Sequence, residues 1–248
     1  MPAFVSSLVA LLLAFLAGAV AGAWIDHAAT AIPTGRRLLG WPACPECGHP
    51  WRGLAVVPLV GPLLARQCAD CAAPIAPLRT LTELTTGVLF ALALWRAGLT
   101  ADFVATALFM VILLIILRID WRHHLIFQQT ILVGLLLALG YAAIFSRQPH
   151  ALLWSTLAAA AATVLFLLLY LLALAIYRRR ALGFGDVLLA ALIGAMAGPN
   201  VGVALIIGMF LGAVGGLALV ALKVRTMRDY IPYGAYLCAG TIIALLLR

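Results

Sequence analysis

Eight long apolar runs joined by short polar connectors constrain this chain more than any other feature. They fall at about 4–25, 81–97, 102–119, 125–145, 151–177, 184–198, 200–222 and 231–247. A helix needs roughly 20 apolar residues to cross a bilayer, and it satisfies its own backbone hydrogen bonds inside the lipid. The runs therefore predict an all-α polytopic membrane protein with about eight transmembrane helices. Composition agrees: 66% of residues are hydrophobic and 10% charged, against about 45–50% and about 25% in a soluble domain. The first run, Val5 to Trp24, has no basic residue before it and continues into a long polar loop without a convincing small-residue cleavage site. It is expected to stay as a membrane helix rather than be removed as a signal peptide.

The breaks between runs are short. Gly198-Pro199-Asn200 divides the sixth run from the seventh, and His123-His124 divides the third from the fourth; the first of these is a strong turn signal. Small residues recur inside the runs, from Ala158 to Ala162 and at Gly208, Gly212, Gly215 and Gly216. Such residues let helices approach closely in a membrane.

The net charge is +8, and its placement matters more than its size. Connectors after the odd-numbered runs carry Arg36, Arg37, Arg52, Arg66 and Arg79, then Arg118 and Arg122, then Arg178, Arg179 and Arg180, then Lys223, Arg225 and Arg228. The other side has only Arg96, Arg147 and Arg248. Basic loops stay in the cytosol, so the odd connectors are expected there and both termini outside. Nothing in this pattern suggests a nucleic-acid-binding face. Three parts are expected: a first membrane helix at 1–25, a cytosolic loop domain at 26–80, and a seven-helix membrane domain at 81–248.

The loop domain holds four of the five cysteines. Cys44-Pro45-Glu46-Cys47 and Cys68-Ala69-Asp70-Cys71 are two CxxC knuckles separated by residues 48–67. That spacing suits a closed, four-thiolate structural zinc site. Two disulfides would use the same residues, but thiols stay reduced in the cytosol, which favours the metal. His49 is near enough in sequence to ligate, yet the four cysteines complete the set. Cys238, in the last run, is expected to be a buried small hydrophobe.

Two carboxylates stand where the lipid makes them costly. Asp120 closes a run in Ile116-Leu117-Arg118-Ile119-Asp120, and Asp186 opens one in Gly183-Phe184-Gly185-Asp186. The charge pattern places both at the cytosolic face. Either could be a rim residue paired with an arginine, and Arg118 and Arg122 flank Asp120 closely enough. Gly183 and Gly185 give Asp186 a different setting, because glycine permits a peptide segment to approach the backbone. Two close carboxylates share a proton, and the pair titrates as a unit, which is the chemistry of an aspartic protease. His123 and His124 read as interfacial polar residues.

Taken together, these residues resemble the type IV prepilin peptidases, membrane aspartic proteases of the GxGD type. The resemblance rests on the amino-terminal helix, the two CxxC pairs, Glu83, the Asp120 segment, Gly183-Phe184-Gly185-Asp186 and Ile231-Pro232-Tyr233-Gly234. It implies that Asp120 and Asp186 are the catalytic pair and that Gly183 and Gly185 shape the site. The implied substrates are prepilins or pseudopilins of pilus or type II secretion systems, cut at the cytosolic membrane face, usually after Gly. It also implies S-adenosylmethionine as methyl donor if the new amino terminus is N-methylated. The chain departs from the family at Ile126-Phe127-Gln128, where Leu-Pro-Asp is common, and at Leu188, where Lys is common. It departs also at Ala23-Trp24-Ile25-Asp26 and Arg66-Gln67-Cys68-Ala69. The loop changes bear on methyl transfer more than on proteolysis. A non-catalytic membrane assembly factor with a zinc docking loop is the alternative; a proton-relay transporter would hold its acids nearer the midplane.

Overall fold

A computed structural model describes residues 2–38, 40, 42–65, 67–75, 77–146, 148–177, 183–223 and 232–248. Connector residues Arg66, Arg147, Arg178, Arg179, Arg180, Arg225 and Arg228, and Ile231, lie outside the described residues. Among the described residues the regular elements are all helices, joined by turns and loops that hold two isolated β-bridges. Two compact units divide at Phe103.

In the first unit, α1 (Pro2–Thr34) packs along α3 (Pro77–Ala97). Glycine permits the approach: a Cβ on Gly18 would lie 2.6 Å from the Thr86 carbonyl oxygen, and one on Gly22 2.6 Å from the Glu83 Cα. α1 runs nine residues beyond the expected end of its apolar run, because Ala28, Ala29 and Ala31 favour helix and His27 anchors the loop that follows. The His27 ring lies 3.3 Å from the Arg37 carbonyl oxygen through Nε2 and accepts the Ala43 N–H at Nδ1, 3.4 Å away. Between these helices lie a 3-10 turn (Gly53–Val56), the short α2 (Val60–Leu64) and the two cysteine knuckles.

The second unit is built from most of α4 (Ala101–His123) with α5 (Gln128–Ile144), α6 (Ala151–Tyr177), α7 (Phe184–Ala197), α8 (Val201–Ala221) and α9 (Tyr233–Leu246). α7 is its centre, packed against α5, α6, α8 and α9. Leu189, Ala190, Leu192 and Ile193 are fully buried there. Gly194 brings α7 onto α6, since its Cβ would fall 2.5 Å from the Ala158 carbonyl oxygen; Gly240 meets Gly208 where α9 crosses α8. The Gly198-Pro199-Asn200 turn is a 3-10 segment between α7 and α8.

The outer surfaces are apolar. On α8, Val203, Ile206, Phe210, Val214 and Leu217 all face outward at helical spacing. Water would penalise so long an exposed stripe, and lipid does not. Ser7–Thr34, Ala101–His123, Ala151–Ile176 and Phe184–Ala221 are long and apolar enough to cross a membrane, and Gln128–Ile144 and Tyr233–Leu246 are shorter apolar helices. The chain is thus an all-helical membrane protein.

Candidate active site and metal centre

The two knuckles are built alike. The Cys44 N–H donates to the His49 carbonyl and the Gly48 N–H to the Cys44 carbonyl; in the second, the Cys68 N–H donates to Ala73 and the Ala72 N–H to Cys68. One β-bridge closes each, Ala43 with Pro50 and Gln67 with Pro74. Facing each other, they bring all four sulfur atoms within 4.8 Å of one another. Cys44 and Cys71 are 3.7 Å apart, and Cys47 and Cys68 3.8 Å. Four sulfurs around a tetrahedral ion at about 2.3 Å sit about 3.8 Å apart. The four thiols are free and fit one tetrahedral metal ion.

The electrostatics of the cluster point the same way. Backbone N–H groups of Cys71 and Asp70 lower the Cys68 thiol to about 7. Cys71 also receives backbone help, from Ala73, but loss of water and the crowding of Cys47, Cys68 and Cys44 push it up to about 12. Four thiolates cannot share so small a volume without a cation.

Cys44, Cys68, Trp51, Ala55 and Ile75 form the small core of this loop. The core is tied to α3 by a buried ion pair: Arg79 Nε donates to Glu83 Oε1 at 2.8 Å. Arg79 Nη2 donates to the Ala55 carbonyl at 3.0 Å, and the Trp51 ring lies 5.3 Å from the guanidinium carbon. Glu83 Oε2 accepts the Leu59 N–H at 2.6 Å. That bond holds a tight turn in which Leu59 has φ 65° and the Val60 N–H reaches the Pro58 carbonyl, a strained γ-turn geometry. Arg79, which the orientation count treats as a connector charge, is only 3% exposed.

In the second unit, Asp120 and Asp186 are both buried, at 3% and 4% exposure. Each carboxylate meets the start of a helix, where N–H groups lack partners and the dipole favours an anion. Asp186 serves its own helix: its Oδ2 accepts the Gly183 N–H at 3.2 Å, while its N–H donates to the Gly183 carbonyl. Asp120 lies in the last turn of α4 but serves another helix. Its Oδ2 accepts the Ala235 N–H at 2.8 Å, in the first turn of α9, whose start has no side-chain cap of its own. The two carboxylates are close enough for their charges to interact, and Cys238, fully buried, lies within electrostatic reach of both.

Glycines make this meeting sterically feasible. A Cβ on Gly234 would stand 3.0 Å from Asp120 Oδ2, and one on Gly185 2.9 Å from the Ile126 Cβ. Gly183 is the N-cap of α7 with an ordinary extended conformation. Tyr233 lies within electrostatic reach of Asp186, its ring tilted against Phe166. His124 follows α4 in a left-handed conformation (φ 53°), its N–H on the Asp120 carbonyl. Ala235, Gly234 and Ile126 are site residues that sequence reasoning passed over. The Ile231-Pro232-Tyr233-Gly234 stretch was the available signal for the first two.

Paired buried acids in an apolar helical bundle, together with a tetrathiolate domain elsewhere in the same chain, are the make-up of a membrane peptidase. The sequence matches the type IV leader peptidase family over residues 107–217 and the bacterial peptidase A24 N-terminal domain over residues 16–97. It is 31% identical over 210 residues to a prepilin leader peptidase/N-methyltransferase of Pseudomonas aeruginosa, covering 82% of this chain and 70% of that one. A protein of the same description from Myxococcus xanthus is 29% identical over 89% of this chain and 66% of its own length. Another, from Bacillus subtilis, is 28% identical over 94% of this chain and 92% of its own. No solved structure matches this chain. The chain belongs to the type IV leader peptidase family.

Proposed function

We propose that this protein is an aspartic endopeptidase that removes the leader peptide of prepilins or pseudopilins at the cytosolic face of the bacterial inner membrane. In this reading Asp120 and Asp186 are the catalytic pair. The observation that carries it is their convergence at the starts of α9 and α7. One carboxyl holds a proton and the other is ionised, since two close carboxylates do not both ionise. The ionised one takes a proton from water as the water oxygen attacks the scissile carbonyl. The protonated one donates toward the carbonyl oxygen. The tetrahedral intermediate then collapses, the C–N bond breaks, and the leaving amine takes up a proton. The pair acts as a unit, so neither residue is assigned one role.

Gly183 and Gly185 shape the site beside Asp186. Residues 26–80 form the cytosolic domain, and Cys44, Cys47, Cys68 and Cys71 hold structural zinc, which closes the knuckles and takes no part in hydrolysis. The first membrane helix precedes that domain and seven more form the membrane domain at 81–248, with both termini outside. S-adenosylmethionine is the methyl donor if the new amino terminus is N-methylated. No step is routed through it.

The test is cleavage of purified prepilins by the detergent-solubilised protein, with sequencing of the product termini. Asp120→Asn and Asp186→Asn should each abolish the cut while leaving abundance and metal content unchanged. Normal processing by either variant would sink the paired-acid mechanism. Metal analysis should find about one zinc per chain. N-methylated product termini, read in the same assay with S-adenosylmethionine added, would report methyl transfer separately.

A further inference from the structure

The link between α4 and α5 carries a residue that neither the pairing of the acids nor the metal explains. Residues His124–Phe127 form this link, and Leu125 points outward while Ile126 is half-buried. The Ile126 side chain reaches both turns that carry the acid site. Its Cβ and Cδ1 lie 2.9 Å and 3.3 Å from where a Gly185 Cβ would be, directly beside Asp186. Its Cδ1 also lies 3.0 Å from where a Gly234 Cβ would be, a point equally 3.0 Å from Asp120 Oδ2. Neither glycine has the positive φ that would require glycine for conformation. Both are needed for space, and Ile126 takes that space.

We propose that Ile126 is a specificity-determining residue: its side chain sets the size of the side chain accepted on the substrate residue that lies between the two carboxylates. The proposal rests on the peptidase reading above. A carbonyl that is to be attacked between Asp120 and Asp186 must pass Ile126, and a Cβ on the same residue competes with the isoleucine for one pocket. Ile126 cannot readily swing aside, because β-branching stiffens its first torsion. The room left suits a residue with no side chain. Isoleucine to alanine removes three heavy atoms and opens space for a methyl or hydroxymethyl group. One methylene in an apolar pocket discriminates substrates by roughly 10–200-fold, which is the scale expected here.

The experiment compares cleavage of one prepilin with Gly, Ala or Ser immediately before the cut, by wild type, Ile126→Ala and Ile126→Val. The readout is the ratio of kcat/KM for the Ala and Gly substrates, which a merely structural role would not move. Ile126→Ala should raise the Ala/Gly ratio at least tenfold, with Ile126→Val between it and wild type. Should Ile126→Ala fail to fold, Ile126→Val carries the test by the same ratio. Unchanged ratios in folded variants, with wild type cutting the Gly substrate normally, would overturn the proposal and leave the peptidase reading standing. Wild-type protein that cuts none of the three would overturn that reading, and the proposal with it.

Discussion

The two units bury carboxylates in opposite ways. In the amino-terminal unit Glu83, fully enclosed, is given a cation: Arg79 contacts one of its oxygens and the Leu59 N–H the other. In the second unit Asp120 and Asp186 receive backbone N–H groups at helix starts. A full charge beside a buried carboxylate ties the two side chains together, and removing either member strands the other in the interior. A helix start favours an anion more gently and leaves protonation within reach. The first arrangement suits a fastener, and the second suits a group whose proton has to move.

That contrast breaks most visibly under amide substitution. Asp120→Asn and Asp186→Asn should each lower kcat/KM by about 10³-fold or more, the scale of lost acid–base catalysis, with little change in thermal stability in detergent. Glu83→Gln should do the reverse. It should lower stability by about 3–5 kcal/mol by stranding Arg79, and leave the residual folded protein able to cut. A stable Glu83→Gln variant without activity would erase the distinction. So would an Asp120→Asn variant that unfolds.

Metal removal probes the same divide one step down. Chelation, or Cys68→Ser, should open residues 42–75 to proteolysis and leave the fragment from Val104 protected, since the tetrathiolate contributes core only to the first unit. The loss should deepen with acid. Cys71, near 12 without metal, holds its proton at neutral pH and gives it up on binding. Metal affinity should therefore rise about tenfold per pH unit for each proton expelled, measured by chelator competition at pH 6, 7 and 8. A smaller effect belongs to the fastener. Replacing Arg79 and Glu83 together by Met and Leu should recover much of the stability lost in either single variant, because an apolar pair avoids the desolvation cost.

Much of this architecture was legible in the chain because lipid leaves few choices. Each of the eight apolar runs is helical, and Gly198-Pro199-Asn200 breaks where a turn was expected. The knuckles were legible because metal geometry fixes ligand spacing. Helix ends were less so. The polar Asp26-His27 pair reads as a loop, yet α1 continues through it since His27 faces the loop it anchors. Asp120 reads as the end of a run, but α4 carries it one turn further. The partners of the two acids were the hardest part. Asp186 is capped locally, and its glycine neighbours announce it. Asp120 is held by the Ala235 backbone, 115 residues away, and a backbone N–H leaves no mark on residue type. Ile126 looked like a departure from a pattern, and only packing reveals what it touches.

The smallest expected effect separates two halves of one site. The residue after the second cysteine of each knuckle is left-handed and donates its N–H to the first cysteine: Gly48 at φ 75° and Ala72 at φ 57°. Left-handed backbone costs an ordinary L-residue about 1–2 kcal/mol. Glycine escapes that cost but gives back about 0.4–1 kcal/mol through a freer unfolded chain. Ala72→Gly should then stabilise the loop by at most about 1.6 kcal/mol, a metal affinity up to about fifteenfold tighter. Gly48→Ala should weaken it by a similar amount, and for conformational reasons alone, since an added Cβ meets only the Arg36 guanidinium at ordinary contact distance, 3.7 Å. Chelator competition on the two variants side by side measures both. Opposite signs would make the knuckles equivalent halves of one metal site. Tighter binding by Gly48→Ala would mean that the first knuckle is set by its contact with Arg36 rather than by its backbone.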